Sequence, residues 1–191
     1  MRRTVYRELV SRAADRHGLL APADTVALGI DPAQLRILAH RGVIEHVARG
    51  VYRVPELPTT ALTPLLEAVL WVGHDAVISH ESTLAAYGLG DFNPSRVHVT
   101  VPASYRLRRT APRWLQLWRA DIPETERSTV EGVPVTTVER ALRDVIETGS
   151  DPVLVRQAIT EARRDGLLSP AAARRLADRS RRRGDRLTVA V

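Results

Sequence analysis

Hydrophobic positions near the start of the chain recur at helical spacing and then give way to short β-branched runs. VYRELVSRAADRHG places Val5, Leu9, Val10 and Ala13 on one helical face and stops at Gly18, a residue that accepts the positive φ of a helix end. Pro22 stands at the first-turn position of a second, short helix, ADTVALG, which ends at Gly29. Ile30 then points inward and Asp31 caps the next element. Pro32 follows the cap, where its missing N–H costs nothing, and PAQLRILAHRG runs to Gly42 with Leu35 and Leu38 on one face. VIEHVARGVYRVP reads as two strands joined at Arg49-Gly50, the glycine supplying the turn geometry. Two helices, a tight turn, a third helix and a hairpin are the order of a winged helix-turn-helix, with the hairpin as the wing.

That order implies a groove-reading device, because the second helix of the turn lies in the DNA major groove while flanking elements hold phosphates. With Leu35 and Leu38 buried, a 100° step per residue leaves Gln34, Arg36, Ile37, His40 and Arg41 facing mostly outward. Arginine can bridge guanine O6 and N7, and glutamine can do the same for adenine. Arg49 at the wing tip and Arg53 on its second strand complete the candidate DNA-binding set. Exposed arginines on a short helix are also ordinary solvated charge, so each position taken singly stays open.

After the wing, PELPTTALTP reads as a proline- and threonine-rich linker, which predicts domains at 1–58 and 59–191. Thr63 caps and Pro64 opens an almost wholly apolar helix, PLLEAVLWVG. Ser79 caps a helix from His80 to Ala86, and the adjacent His80 and Glu81 read more readily as a capping network than as an acid–base pair. RVHVTVP alternates with period two, predicting a strand with Val97, Val99 and Val101 on one face and Arg96, His98 and Thr100 on a wet one. RWLQLWRA repeats the pattern with Trp114, Gln116 and Trp118 together, large anchors for a core or for an interface. Between them ASYRLRRTAPR, with Arg106, Arg108, Arg109 and Arg113, is an exposed basic loop.

TVEGVPVTT is a hairpin around Glu131-Gly132, and Thr137 then caps a helix with Val138, Leu142 and Val145 as its inner stripe. Asp151-Pro152 and Ser169-Pro170 start two more helices. RRRGDR reads as a mobile basic tail, with a short strand from Leu187 as one continuation. The expected fold class is α+β: an N-terminal winged helix-turn-helix followed by a mixed α/β C-terminal domain with a small, mainly antiparallel sheet and several helices.

Composition narrows the function. All 28 basic residues are arginine, so any mechanism that needs a lysine is excluded. Charge is uneven: residues 1–58 carry 9 Arg against 6 acids, 59–150 carry 9 against 11, and 151–191 carry 10 against 5. Basic ends around a mildly acidic middle suit termini that meet phosphate. The absence of cysteine fits a reducing cytoplasm, and neither a membrane-length apolar run nor a signal peptide is present, so no membrane partner is expected.

The six histidines, His17, His40, His46, His74, His80 and His98, are dispersed singly, and no cofactor or metal is expected. Nucleotide-binding glycine motifs and a GxSxG nucleophile elbow are missing, as is the acidic pair followed by lysine of a nuclease. Gly149-Ser150-Asp151 lacks the further carboxylates with which a nucleotidyltransferase holds magnesium. A non-enzyme is expected.

Three blocks carry a likeness to a known family: RHGLLAPADTVALGIDPAQLRILAHRGVIEHVARGVYRVP, then DAVISHESTLAAYGLGDFNPSRVHVTVP, then GVPVTTVERALRD. From about Val5 to Ala177 the chain resembles the AbiEi antitoxins of bacterial type IV toxin-antitoxin systems. The resemblance implies a winged helix that represses its own operon and a C-terminal domain that carries antitoxin activity. The implied partners are operator DNA and a cognate AbiEii-like, nucleotidyltransferase-like toxin, with a homodimer on DNA as one arrangement. Two other readings stay open: a protein that sequesters its toxin directly with little or no DNA binding, and a stand-alone winged-helix regulator.

Overall fold

The computed structural model describes residues 2–73, 75–107 and 110–189, and the chain divides into two compact units, residues 1–74 and 75–191. In the first unit, α1 (Arg2–Ala14), α2 (Pro22–Ala27) and α3 (Ala33–His40) are followed by a hairpin of β2 (Glu45–Ala48) and β3 (Val51–Arg53). A two-residue strand β1 (Leu19–Leu20) completes an antiparallel sheet in the order β1-β3-β2. Leu9, Ala13, Leu20, Ile30, Leu35, Ile44, Tyr52 and Val54 form the core, with Val5, Val10 and Leu38 packed on its margin. Pro32 holds the N-cap position of α3, one residue later than expected, and Asp31 Oδ1 accepts from Ala33 N at 2.8 Å just ahead of the helix.

The division falls later than 58/59 because α4 (Thr63–Val72) packs on β1 and β3. Its all-apolar sequence announces burial but does not say against what. The segment before it is tied down, not free: Thr60 Oγ1 lies 3.0 Å from His17 Nδ1, and Thr63 Oγ1 donates to His17 O at 3.2 Å. Thr63 is therefore not the cap; Leu62 holds that position, and the Thr63 hydroxyl accepts from Thr60 N instead.

The second unit holds β4 (Val77–Ile78), α5 (His80–Ala86), β5 (Val97–Val101), β6 (Leu115–Arg119), β7 (Arg127–Val130) and β8 (Val133–Thr136). A single 3-10 turn at Glu124–Glu126 precedes β7, and α6 (Val138–Thr148), α7 (Pro152–Arg164) and α8 (Pro170–Val189) follow. The α+β class is as expected, but this five-stranded sheet, ordered β6-β5-β4-β8-β7, is mixed and not mainly antiparallel. Its β5–β6 and β4–β8 pairs are parallel, while β4–β5 and β7–β8 are antiparallel. Period-two alternation looks the same in either orientation, so the parallel run of β5 and β6 is not written in it.

The helices bury one continuous core, with Leu84, Leu89, Phe92, Leu142, Val155 and Leu176 among its members. The Val138, Leu142 and Val145 stripe lies inside it, capped by Thr137 Oγ1, which accepts from Arg140 N at 3.3 Å. Gly90 marks a close approach: a Cβ built there would lie 2.7 Å from Leu154 O and 2.8 Å from Ala158 Cβ, at a φ of +69°. Glu131 and Gly132 both take positive φ, 46° and 82°, the two-residue turn that matches strand twist.

Three expectations for this unit are corrected. Ser79 precedes α5 but its hydroxyl caps nothing; it accepts from Thr100 Oγ1 at 2.8 Å and lies 2.9 Å from His80 Nδ1. The face of β5 expected to be wet is covered, because α5 packs on it and Thr100 is buried. The basic run after Arg179 is neither tail nor strand, since α8 continues through it to Val189.

Candidate nucleic-acid interface

The wing stands beside α3 and the two enclose an open cleft of about 720 Å³. Arg36 and His40 line it from the helix, His46 and Arg49 from the wing, and Tyr52 also lines it. None of its lining residues is a carboxylate. His46 and Tyr52 face each other across β2 and β3, ring centroids 5.0 Å apart, and the pairing register slips between His46 and Ala48. Sequence reasoning passed over both residues, although the alternation within EHVA and VYR puts them on one side of the hairpin.

The predicted residues thus divide. Arg36, His40 and Arg49 come together in the cleft, whereas Gln34 and Ile37 on α3 and Arg41 at its C-cap lie outside it. Ile37 is 39% exposed, unusual for isoleucine on a packed helix. Arg53 is committed elsewhere: its Nε donates to Glu45 Oε2 at 2.8 Å, and Glu67 stands within electrostatic reach. Burial raises the Glu67 carboxyl above its usual range, and Arg53 opposes the rise.

Arg12 and Arg16 are likewise spent, both within 3.3 Å of buried Asp24. Arg36, Arg41 and Arg49 have no ion-pair partner among the described residues. Guanidiniums without an ion-pair partner are the ones available to phosphate, and those of Arg36 and Arg49 line a cleft without carboxylates.

In the second unit His80 stacks on Trp118, centroids 4.3 Å apart and planes 15° from parallel, and His98 meets His80 edge-on at 5.7 Å. This replaces the expected capping network at His80 and Glu81. Burial, then the positive neighbours His98 and Arg140, push the His80 imidazole down to about 3, so the ring is neutral and a weak base near neutral pH. Burial also lowers His98. Glu81 instead accepts from Ser150 Oγ at 2.6 Å. Trp118 is thus partly enclosed, and Trp114, just before β6, is 38% exposed.

In the loop before β6, Arg106 and Arg113 are exposed, while Arg108 and Arg109 lie outside the described residues, as does His74. Among the described residues no cluster of three His, Cys, Asp or Glu could hold a metal ion. No described helix is long and apolar enough to cross a membrane.

Part of the chain matches a known family. Residues 7–55, from within α1 to just past the wing, match a family model described as "Transcriptional regulator, AbiEi antitoxin". Among solved structures the chain is similar to the RV2827C protein from Mycobacterium tuberculosis, at 16% identity and a TM-score of 0.43, covering 92% of this chain and 81% of that one. No protein of curated function matches the chain. The stretch from α1 to the wing, residues 7–55, thus matches the transcriptional-regulator model of the AbiEi antitoxins, the family that the three sequence blocks resemble.

Proposed function

We propose that this protein is an AbiEi-type antitoxin of the cytoplasm that represses its own operon through the winged helix and counteracts a nucleotidyltransferase-like toxin through its second unit. The observation that supports DNA binding most directly is the unpaired set Arg36, Arg41 and Arg49 on α3 and the wing, inside the segment that matches a transcriptional regulator. Protein groups already claim the other cations of this unit whose partners are described, Arg12, Arg16 and Arg53. The antitoxin role rests on the family description and on the second unit having a core of its own.

Two experiments test the two halves. In gel shifts on the DNA upstream of its own gene, wild-type protein binds, and Arg36→Ala with Arg41→Ala loses binding while keeping its far-UV circular dichroism. Each lost contact removes about 1–3 kcal/mol. Unchanged affinity of the double variant at low and moderate salt would refute the DNA-binding assignment. Co-expression with the neighbouring toxin gene tests the second half: restored growth is expected, and persistent arrest refutes antitoxicity.

A further inference from the structure

We infer that the cleft between α3 and the wing holds one phosphodiester strand, so that Arg36 and Arg49 grip phosphates from its two walls while Gln34, Ile37 and Arg41 read bases. The inference deepens the DNA-binding reading and rests on it.

The helical step assigns the flanks. Leu35 is fully buried and Leu38 and Ala39 are packed against the core, which fixes the inner face of α3. Arg36 and His40, one turn apart, project on the flank that meets the wing and line the cleft. Gln34, Ile37 and Arg41, spaced by three and four, share the other flank, and none of them lines it.

A helix seated in the major groove has a sugar–phosphate strand on each side. A wing rising beside that helix must pass over one of those strands, so the space between them is filled by backbone, not base edges. The lining chemistry agrees: two guanidiniums and two imidazoles, no carboxylate, and a small residue, Gly50, at the wing turn where close approach is needed. The other flank has the chemistry of base edges. Gln34 suits adenine N6 and N7, the exposed Ile37 suits a thymine methyl, and Arg41 suits guanine. This assigns Arg36 a role different from that expected of a residue on a recognition helix.

Titration of the full-length protein against salt tests it, on a duplex from upstream of its own gene and on a scrambled duplex of equal length. For Arg36→Ala and for Arg49→Ala, the slope of log K against log salt should become shallower by about 0.9 each, with equal loss on both duplexes. Arg36→Lys, which keeps the charge but not the bidentate fork, should retain slope and selectivity. Gln34→Ala and Ile37→Ala should leave the slope intact and shrink the ratio between the duplexes by roughly ten-fold each. Loss of selectivity in Arg36→Lys, or a change at one base position in Arg36→Ala, would overturn the inference; so would an unchanged slope. If wild-type protein binds neither duplex with a salt dependence, the DNA-binding reading itself fails, and the inference with it.

Discussion

The side chain of Arg12 on α1 reaches across to Asp24 on α2, Nε to Oδ1 at 3.0 Å, and clamps the first two helices of the winged unit through a carboxylate that is only 3% exposed. The same carboxylate accepts from Ala21 N at 2.8 Å, so it also caps α2. Asp24→Ala should therefore cost about 2–4 kcal/mol, the sum of a lost cap and a broken, largely buried pair. Arg12→Ala should cost less, about 1 kcal/mol, because Arg16 Nε stands 3.3 Å from the same oxygen. Urea melts followed at 222 nm rank the two, and the reverse order would show that Arg16 gives no reserve.

The packing of α4 on β1 and β3 sets where the first unit can be cut. A fragment of residues 1–74 should melt cooperatively. A fragment of 1–58 leaves that surface bare and should melt at least 10 °C lower or aggregate, since Leu66, Ala68, Trp71 and Val72 are all buried in the longer form. Equal melting temperatures would return the boundary to 58/59.

Much of this architecture was legible because its punctuation is local. Gly18, Gly29 and Gly50 each mark an element boundary by a positive φ, while Asp31, Thr137 and Asp151 mark the starts of α3, α6 and α7 by side-chain oxygens that accept from nearby backbone N–H groups. What was not legible depends on partners distant in sequence. Strands β1 and β4, two residues each, carry no pattern long enough to read. The helix that leads into the basic run is held by partners in α6, Arg175 pairing with Glu139 and Arg179 with Glu147, which the run's own sequence does not show. The exposed side of α3 could be read, but which flank looks at the wing could not, so His46 went unnoticed, and the pairing of Arg53 with Glu45 across the hairpin could not be seen either.

Acid should reveal the stacked histidine His80 and its half-buried neighbour His98. His80 in the folded protein titrates at about 3, below its value near 6.5 in the unfolded chain. The stability it contributes is complete above about pH 6.5 and is lost as pH falls toward 3, because the unfolded chain takes up the proton first. His98, also lowered, acts in the same direction. The groups facing His80 are His98 and Trp118 from the sheet, Ser79 beside it and Arg140 from α6. Between pH 6.5 and 4.5 wild type should lose up to about 1.4 kcal/mol more per pH unit than His80→Gln, whose residue does not titrate. Parallel curves of stability against pH would contradict the assignment.

Gly90 should tolerate no side chain. Gly90→Ala combines a left-handed backbone with contacts under 3 Å to Leu154 O and Ala158 Cβ, one of them immovable main chain. The expected loss is about 2–4 kcal/mol, seen as a lower midpoint in denaturant. Gly88→Ala, with a φ of +67° but open space around it, should cost about 1–2 kcal/mol, and equal costs would remove the steric part of the argument.

The two residues of β4 are the hinge pin of the second sheet: Ile78 meets Val99 on one side and Val135 on the other. During synthesis β4, β5 and β6 can pair with one another, but the free edge of β4 stays open until β8 (Val133–Thr136) follows. The winged unit, complete by residue 74, has no such wait. Domains fold as units in the order of their emergence, so the winged unit of a nascent chain matures first and the second unit only after α6, α7 and α8 have followed its sheet.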